Sequence, residues 1–267
     1  MIEAPFEDSE GRALPLLRSA VIPAAFRHGF PTRAGGVSAP PFDSFNLGGK
    51  WGDAPESVAE NRRRLERAAG ARLFVATQVH GAQIAAVGAG DDPADIARLE
   101  VDGLCTDRGD VALGVFVADC IPAVVVDERT GAFAAVHAGW RGTLAGVLPA
   151  AVRALSLHFG ARAADLCVAL GPAIGPCCFE VGPEVVEAFE ARLPEARATG
   201  VIARLLPGGK AFVDIKRANR ILLERAGVPP DSIDAGPECT ACARERFFSF
   251  RRDKGQTGQH LAFISRV

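Results

Sequence analysis

The stretch that decides the fold reads Ala-Asp-Cys-Ile-Pro-Ala-Val-Val-Val-Asp-Glu-Arg-Thr-Gly-Ala-Phe-Ala-Ala-Val-His-Ala-Gly-Trp-Arg-Gly-Thr and covers residues 118–143. Two short apolar runs, 123–126 and 132–136, flank the polar residues 127–131, the last of which is a glycine. Apolar runs separated by a short polar loop that ends in glycine are typical of a β-hairpin. We therefore predict two paired strands here.

The register of this hairpin would bring a thiol close to an imidazole. If the chain turns at residues 129–130, His137 falls opposite residue 122, to within a residue or two. Cys120 is then one or two positions away from the residue that faces His137. Two chemically active side chains that are distant in sequence would thus meet at one end of a sheet.

The residues that follow the hairpin have the pattern of a turn into a helix. Residues 139–143 read Gly-Trp-Arg-Gly-Thr, and 144–159 have helical spacing. A glycine-rich turn at a helix start exposes N–H groups that favour anions, and Arg141 adds a planar cation. The alternative is structural, since buried cysteines are usually core residues and most lone histidines are not ligands.

Composition describes an ordinary globular protein of 267 residues with 48% hydrophobic and 23% charged residues. This is enough apolar material for a sizeable core, in one large domain or two smaller ones. The net charge is −2. The densest basic cluster, Arg62 to Arg64 with Arg67, alternates with Glu60 and Glu66 on a predicted helix. We interpret it as a solvated, self-paired surface and expect no nucleic-acid partner.

Nothing in the sequence has the pattern of an export signal or a membrane span. Residues 1–10 contain acids where a signal peptide needs bases, and no apolar segment follows. The longest apolar run, 111–126, is interrupted by Asp119 and Pro122. We therefore expect a cytoplasmic protein without membrane contact, whose seven cysteines are reduced thiols.

The order of predicted elements favours an α+β fold with a mixed β-sheet core flanked by helices, in a single domain over residues 1–267. Strands are predicted at or near residues 20–26, 73–79, 83–88, 101–105, 111–118, 123–126, 132–136, 166–170, 232–235, 246–250 and 261–265. Helices are predicted at about 53–69, 144–159, 183–193 and 214–227, with Asp53 and Asp214 as caps and Gly70 and Gly227 as terminators. A long loop at 28–48 is a candidate functional segment.

A third candidate residue turns the thiol and imidazole into a possible metal site. His80 ends a predicted strand and directly precedes Gly81. His137 likewise ends a predicted strand and lies two residues before Gly139. His80, Cys120 and His137 would supply three ligands and leave a fourth position open, the arrangement of catalytic zinc. Zinc bound in this way can activate a water as a nucleophile at neutral pH.

The other cysteines offer competing interpretations. Cys239 and Cys242 form a C-x-x-C motif, which is half of a structural zinc site or a redox pair. A second such motif is absent from the sequence, and adjacent cysteines such as Cys177 and Cys178 rarely form a disulfide. We expect both pairs to reflect local packing.

Together these motifs resemble the YfiH-type family, over about residues 20 to 265. That family has also been called multicopper polyphenol oxidase, laccase-domain protein, purine nucleoside phosphorylase and peptidoglycan editing factor. The resemblance rests on residues 28–30 (HGF), 32–33 (TR), 61–62 (NR), 77–81 (TQVHG), 118–122 (ADCIP), 137–143 (HAGWRGT), 171–174 (GPAI) and 247–253 (FFSFRRD). Two departures are Phe179, where the family often has tyrosine, and Gln259, where it usually has arginine.

The resemblance implies zinc ligation and catalysis by His80, Cys120 and His137, in a layered fold similar to a toxin deamidase. It implies phosphorolysis of adenosine, inosine, guanosine or methylthioadenosine and deamination of adenosine, so the expected partners are purine nucleosides and phosphate. Arg141 and Arg33 are the predicted substrate-binding residues, since guanidinium groups suit phosphate. The oligomeric state is not predicted.

Three alternatives remain open from the sequence. Copper is a possible metal, but one blue-copper centre uses two histidines and a cysteine, and five histidines in all leave too few for a multicopper laccase. A cysteine hydrolase would use Cys120 as nucleophile and His137 as base, with His80 in support. Editing of peptidoglycan precursors suits either chemistry. A non-enzymatic metal-binding protein is the last alternative.

Overall fold

The computed structural model describes residues 1–3, 5–7 and 13–267. In chain order its strands are β1 (Ile2–Glu3), β2 (Phe6–Glu7), β3 (Ala13–Leu14), β4 (Leu16–Arg18), β5 (Phe26–Pro31), β6 (Arg72–Phe74), β7 (Ile84–Ala86), β8 (Gly103–Thr106), β9 (Val111–Val117), β10 (Ile121–Asp127), β11 (Ala132–Ala138), β12 (Leu166–Leu170), β13 (Glu180–Val181), β14 (Ile202–Leu205), β15 (Ala211–Val213), β16 (Ile233–Ala235) and β17 (His260–Arg266). Its α-helices are α1 (Pro55–Ala69), α2 (Pro93–Ile96), α3 (Trp140–Ala145), α4 (Val147–Phe159), α5 (Pro183–Arg192) and α6 (Ile215–Arg225). None of these helices is both long and apolar enough to cross a bilayer.

The hairpin of β10 and β11 has the predicted register. Pro122 pairs with His137, and Ala123 pairs with Val136. The loop closes through a hydrogen bond from the Gly131 N–H to the Asp127 carbonyl at 2.9 Å, with Gly131 at φ 74°. Glycine takes this left-handed conformation without the steric penalty of a side chain. The hairpin prediction is therefore confirmed.

Two six-stranded mixed sheets form the centre of the fold. The first has the order β1-β4-β5-β17-β9-β6, and the second has the order β16-β12-β10-β11-β8-β7. Most neighbours are antiparallel, whereas the pairs β6–β9, β7–β8 and β12–β16 are parallel. Smaller sheets of β13-β15-β14 and β2-β3 complete the architecture of the described residues.

The sheets pack face to face, and helices cover their outer faces. Val124 and Val126 of β10 lie in a core that the two sheets share, whereas Ala123 and Val125 lie in a second core with α4, α5 and α6. A third core places α1 against the outer face of the first sheet. Because β10 is buried on both faces, it is an unbroken apolar run. The predicted α+β class, with a mixed-sheet core flanked by helices, is confirmed.

Several predicted strand limits are wrong. The predicted strand at 20–26 is a turn, in which the Phe26 N–H donates to the Pro23 carbonyl, and β5 begins only at Phe26. Consequently the start of the predicted loop at 28–48 is strand. The predicted strand at 73–79 ends at Phe74, and the segment 246–250 forms turns around the buried Phe247. Ile22 and Phe247 are buried there without strand pairing, and Val79 is exposed, so the apolar pattern overpredicted β-structure.

Two of the four predicted helices need a corrected start. Asp53 is not the cap of α1, since its carboxylate accepts from Ala54 N–H and the Asn46 side chain. The helix predicted at 144–159 begins at Trp140 and breaks at Gly146, which lies at φ 81°. In contrast, Asp214 accepts the Arg217 N–H at the start of α6, and Gly70 ends α1 in the left-handed conformation, both as predicted.

Candidate metal and active site

The structure brings the three predicted ligands together. Cys120 lies in the tight connection from β9 to β10, directly before Ile121. His137 is near the end of β11, where it pairs with Pro122. His80 follows β6 in an irregular segment. The ligand atoms of His80, Cys120 and His137 lie within 4.8 Å of one another, and the two imidazole rings are perpendicular with centroids 4.8 Å apart.

Unusual backbone conformations aim two parts of this site. His80 lies at φ 62° and Asp119, directly before Cys120, lies at φ 94°. Left-handed backbone is unfavourable for residues other than glycine and persists when the surroundings hold it. Asp119 is held because its carboxylate accepts the Thr240 hydroxyl at 2.5 Å and the Arg251 N–H at 2.7 Å.

Asp102 is the residue of the site that sequence reasoning missed. Its side chain is fully buried, and one oxygen lies 2.7 Å from His137 Nδ1. The same carboxylate accepts the N–H groups of His80 at 2.9 Å and Gly81 at 2.6 Å. It therefore orients both histidines, one through its ring and one through its backbone. An acid within the apolar segment 101–105 was the available sequence signal.

The electrostatics of Cys120 and His137 favour a charged pair. Burial opposes ionisation of the Cys120 thiol, but the His137 charge prevails and lowers the thiol pKa to about 6. Burial likewise opposes protonation of His137, but the Cys120 thiolate and the Asp102 hydrogen bond raise its pKa to about 9. Asp102 has a lowered pKa because, against burial, His137 and the N–H groups of Gly81 and His80 stabilise its carboxylate. The ligand set is thus ready for a cation.

The glycine after β11 allows the close approach of the ligands. A Cβ atom at Gly139 would lie 3.1 Å from Cys120 Sγ and 3.2 Å from His80 Cδ2, which is tighter than ordinary van der Waals contact. A residue with a side chain at position 139 would push against two of the three ligands. This crowding is the physical reason for a glycine at position 139.

The three side chains line a cavity of about 720 Å³, a volume typical of small-molecule sites. Five aromatic side chains contribute to its wall: Trp51, Phe116, Trp140, Phe179 and Phe250. Three cationic side chains also line it: Lys50, Arg62 and Arg251. Both positions that depart from the family pattern, Phe179 and Gln259, are in this wall. The cavity combines flat apolar surfaces with positive charge.

Arg62 corrects the interpretation of the basic cluster on α1. Arg63 and Arg64 both form ion pairs with Glu60, as predicted for a self-paired helix surface. Arg62 instead turns to the cavity, where its Nε donates to the Leu47 carbonyl at 2.8 Å and its guanidinium lies 5.2 Å from the Phe116 ring centroid.

Neither predicted phosphate-binding arginine lines the cavity. Arg33 donates to the Asp43 carbonyl, forms an ion pair with the Asp43 carboxylate at 3.1 Å and lies over the Phe248 ring. Arg141 is exposed, and its guanidinium lies 4.3 Å from the centroid of Trp140, which does line the cavity. The substrate-binding roles of Arg33 and Arg141 stay predictions.

The remaining histidines do not extend the metal site. His28 Nε2 accepts the Ser19 N–H, and His260 Nε2 accepts the Phe248 N–H, both at 2.9 Å and both buried. His158 is exposed near the end of α4. Among the described residues, the set of His80, Cys120 and His137 is therefore the one group of possible metal ligands that contains histidine.

The three-residue set fits a transition metal held by three protein ligands. Two imidazoles and one thiol are the donor types of catalytic zinc and of blue copper. The contact of His137 Nδ1 with Asp102 leaves Nε2 for ligation, the arrangement that orients metal-binding histidines. The cavity reaches all three residues, so a bound metal would be accessible to a substrate.

Comparison with known proteins agrees with the fold and the motifs. The family model described as "Multi-copper polyphenol oxidoreductase laccase" matches residues 27–267. The chain is 40% identical over 246 residues to the purine nucleoside phosphorylase YlmD of Geobacillus stearothermophilus, covering 89% of each. It is 37% identical to human purine nucleoside phosphorylase LACC1 over 270 residues, which span 95% of this chain and 60% of the human protein.

Solved structures show the same relationship in three dimensions. The crystal structure of the hypothetical protein YfiH of Bacillus licheniformis matches with a TM-score of 0.88 at 32% identity, covering 96% of this chain and 97% of the other. The crystal structure of YlmD from Geobacillus stearothermophilus matches with a TM-score of 0.82 at 36% identity, covering 98% and 99%. The chain therefore belongs to the YfiH-type family of laccase-domain proteins.

Proposed function

We propose that this protein is a zinc-dependent purine nucleoside phosphorylase that also deaminates adenosine. The observation that carries the proposal is the set of His80, Cys120 and His137, with ligand atoms within 4.8 Å, in the wall of a 720 Å³ cavity lined by aromatic and cationic side chains. Two relatives, 40% and 37% identical over 89% and 95% of this chain, are named purine nucleoside phosphorylases. Adenosine, inosine, guanosine and methylthioadenosine are the proposed substrates.

His80, Cys120 and His137 would hold the zinc. Zinc bound by three protein ligands supplies Lewis-acid chemistry at its remaining coordination position. The protein's part begins with Asp102, which fixes the His137 ring by its contact with Nδ1 and fixes the backbone of His80. Copper suits the same donor types, but the one histidine cluster of the described residues does not support a multicopper centre.

The aromatic wall suits a purine base. Trp51 and Phe250 lie 5.8 Å apart, between ring centroids, and Phe250 is half-exposed at the cavity. Trp140 and Phe179 add two further flat surfaces. A purine that stacks on such rings gains binding energy and excludes water from the bond that reacts. Stacking on flat rings does not depend on which purine is bound, which suits several purines.

Phosphate requires positive charge next to the nucleoside. Lys50, Arg62 and Arg251 line the cavity, and burial lowers the pKa of Arg62, the effect expected for a cation held away from water. We assign phosphate binding to these residues first. Arg33 and Arg141 remain proposed contributors, Arg141 through its contact with Trp140.

The test is an assay of adenosine with and without phosphate that follows adenine, ribose phosphate and inosine. The proposal predicts adenine and ribose phosphate in proportion to added phosphate, and inosine with or without phosphate. Both products should be lost in a Cys120→Ala variant that no longer retains zinc. If adenosine and the other purine nucleosides all remain unchanged with zinc-loaded protein, the proposal is wrong and metal binding without catalysis is the better description.

A second candidate function, a cysteine hydrolase, is favoured by one specific observation. Asp102, His137 and Cys120 are arranged like the acid, the base and the nucleophile of a catalytic triad. Asp102 contacts His137 Nδ1, and His137 lowers the pKa of the Cys120 thiol. Such an enzyme could act on amides of cell-wall precursors. It would be active after metal removal and would be inactivated by alkylation of Cys120, whereas the zinc enzyme loses activity with its metal.

A further inference from the structure

Four of the seven cysteines gather in a second cluster, which we call the thiol cluster: Cys177, Cys178, Cys239 and Cys242. The adjacent pair lies in the turn after β12, and the C-x-x-C pair lies in the segment after β16. Both pairs were expected to reflect local packing, and the structure places them side by side. The two pairs, more than 60 positions apart, meet at one place.

The sulfur atoms have the spacing of a tetrahedral thiolate site. Cys242 Sγ lies 3.4 Å from Cys177 Sγ and 3.3 Å from Cys178 Sγ, and all four sulfurs lie within 4.8 Å of one another. Zinc–sulfur bonds of about 2.3 Å in a tetrahedron place the sulfurs about 3.8 Å apart. The two distances from Cys242 Sγ are slightly shorter than this value, as close as thiols can approach before a metal separates them. All four cysteines are free thiols, so the set is complete for a four-ligand site.

The backbone around the thiol cluster is arranged to bring the sulfurs together. The Gly175 N–H donates to Cys239 Sγ at 3.2 Å, a hydrogen bond that stabilises a thiolate. A Cβ atom at Gly175 would lie 3.3 Å from Cys239 Cβ and 3.4 Å from Cys177 Sγ, so a side chain there would crowd the sulfurs. A bridge between Ala173 and Cys239 joins the two segments directly.

Two arginines supply positive charge to the same segments. Arg251 donates to the carbonyls of Cys178 and Glu180, and Arg252 donates to the carbonyl of Thr240. The complex of a divalent cation with four thiolates is negatively charged overall, and nearby guanidinium groups offset this charge. Without a cation, four thiolates at these distances would repel one another strongly.

We propose that Cys177, Cys178, Cys239 and Cys242 form a second, structural metal site that binds zinc through four thiolates. Four protein ligands leave no open position, which distinguishes this closed site from the three-ligand site of Cys120. The exposure of Cys177 and Cys242 gives the metal a path of entry.

The thiol cluster is connected to the wall of the cavity. Asp119, next to Cys120, accepts the Ile174 N–H through its carbonyl and the Thr240 hydroxyl through its carboxylate, so it holds both cysteine segments. Ile174 and Phe179, which bracket Cys177 and Cys178 in sequence, line the cavity. A zinc ion in the cluster would thus fix one wall of the substrate site.

The experiment measures zinc in the full-length protein after purification with reductant and titration with zinc sulfate. We expect two equivalents in the wild type, one in Cys242→Ser and one in Cys120→Ala. Cys167→Ser, which changes a half-buried thiol outside both clusters, should retain two. Because Cys120→Ala tests the other site, failure of the proposed function and failure of the thiol cluster give different results.

Cobalt substitution of the wild type provides a measurement that does not depend on a variant. Saturating cobalt should give the near-ultraviolet thiolate-to-cobalt absorption of a four-thiolate centre, and bound zinc should protect these cysteines from alkylation. Absorption at the level of one thiolate, zinc content unchanged by Cys242→Ser, or alkylation at equal rates with and without zinc would each overturn the proposal. So would a disulfide from Cys242 to Cys177 or Cys178 in anaerobic, zinc-saturated protein.

Discussion

At the scale of single residues, the site depends on a carboxylate that contacts both histidines without being a proposed ligand. Asp102 is buried. Its carboxylate lies in hydrogen-bond contact with His137 Nδ1 and accepts the N–H groups of His80 and Gly81. A partner of this kind fixes the tautomer of a ligand and raises its basicity. The quality of the metal site should therefore depend on Asp102 almost as strongly as on the ligands.

Asp102→Asn should lower zinc affinity by about 10- to 100-fold, the usual effect of losing such a partner. Replacing the charged acceptor of buried N–H groups should also cost roughly 1–3 kcal/mol of stability. The measurements are competition with a zinc chelator and thermal unfolding. Asp95→Asn, at an exposed carboxylate that pairs with Arg98, is the matched control and should change neither. Wild-type zinc affinity in Asp102→Asn would contradict this role.

Arg62 is the first residue to which we assign phosphate binding. Loss of a hydrogen bond to a charged group costs about 1.5–3 kcal/mol, so Arg62→Ala should raise the KM for phosphate by about 10- to 100-fold. The control is Arg63→Ala, which removes an exposed arginine of the same helix that pairs with Glu60. The same steady-state assay of Arg33→Ala and Arg141→Ala tests the predictions made for those residues. An unchanged phosphate KM in Arg62→Ala would move the assignment to other cations.

At the scale of elements, the turn from β11 into α3 places His137 and the cavity-lining Trp140 three positions apart, with Gly139 between them. The turn works only if its backbone can lie against the ligands. Position 139 is where a missing side chain allows this, since a Cβ would meet Cys120 Sγ and His80 Cδ2.

Gly139→Ala should therefore weaken zinc binding more than it weakens the fold. The methyl group must displace Cys120 or His80 by a few tenths of an ångström, and metal sites are sensitive to ligand positions at that scale. The test compares zinc affinity and melting temperature with those of Gly88→Ala, where the nearest atom would be 3.8 Å away. Equal zinc affinity in both variants would show that the contact is not limiting.

The hairpin was predictable because its information is local. Two apolar runs on either side of a polar loop set its register, which placed Cys120 near His137. His80 was proposed from a strand end predicted at residue 79, although β6 already ends at Phe74. The role of Asp102 was not predictable, since it depends on the pairing of β8 with β11, where Gly103 lies opposite Val136. The thiol cluster likewise depends on contact between segments that only the complete fold brings together.

Local patterns failed where burial arises without strand pairing. Phe247 and Phe248 are fully buried, yet the Phe247 N–H bonds to the Ala243 carbonyl in a turn. Similarly, Arg62 was interpreted as a surface charge because its neighbours pair with Glu60, but its own side chain turns to the cavity. Sequence spacing indicates which face of a helix is apolar. It does not show where the charged end of a long side chain such as arginine lies.

At the scale of the whole molecule, the two sheets and their flanking helices bury two histidines that are not part of the proposed metal site. His28 has a pKa lowered to about 4, first by burial and then by the Arg18 charge. His260 has a pKa lowered to about 3, first by burial and then by the Arg33 charge. Both are therefore neutral in the folded protein, and both become basic again, near pKa 6.5, on unfolding.

Stability should fall with decreasing pH as a consequence. Below about pH 6.5 the unfolded chain binds protons that folded His28 and His260 do not, so each contributes a loss of up to about 1.4 kcal/mol per pH unit. The measurement is urea unfolding between pH 7.5 and 5 in wild type, His260→Gln and His158→Gln. His260→Gln should reduce the slope, whereas His158→Gln, at an exposed position, should preserve it. An unchanged slope in His260→Gln would contradict the assignment.

The proposed function depends on a metal held by His80, Cys120 and His137. We would measure phosphorolysis of inosine by one protein sample as purified, after chelation and dialysis, and after zinc is returned. Activity should disappear with the zinc and return when both proposed zinc sites are refilled. Activity that survives chelation but is abolished by alkylation of Cys120 would rule out this role of the metal and favour a cysteine enzyme.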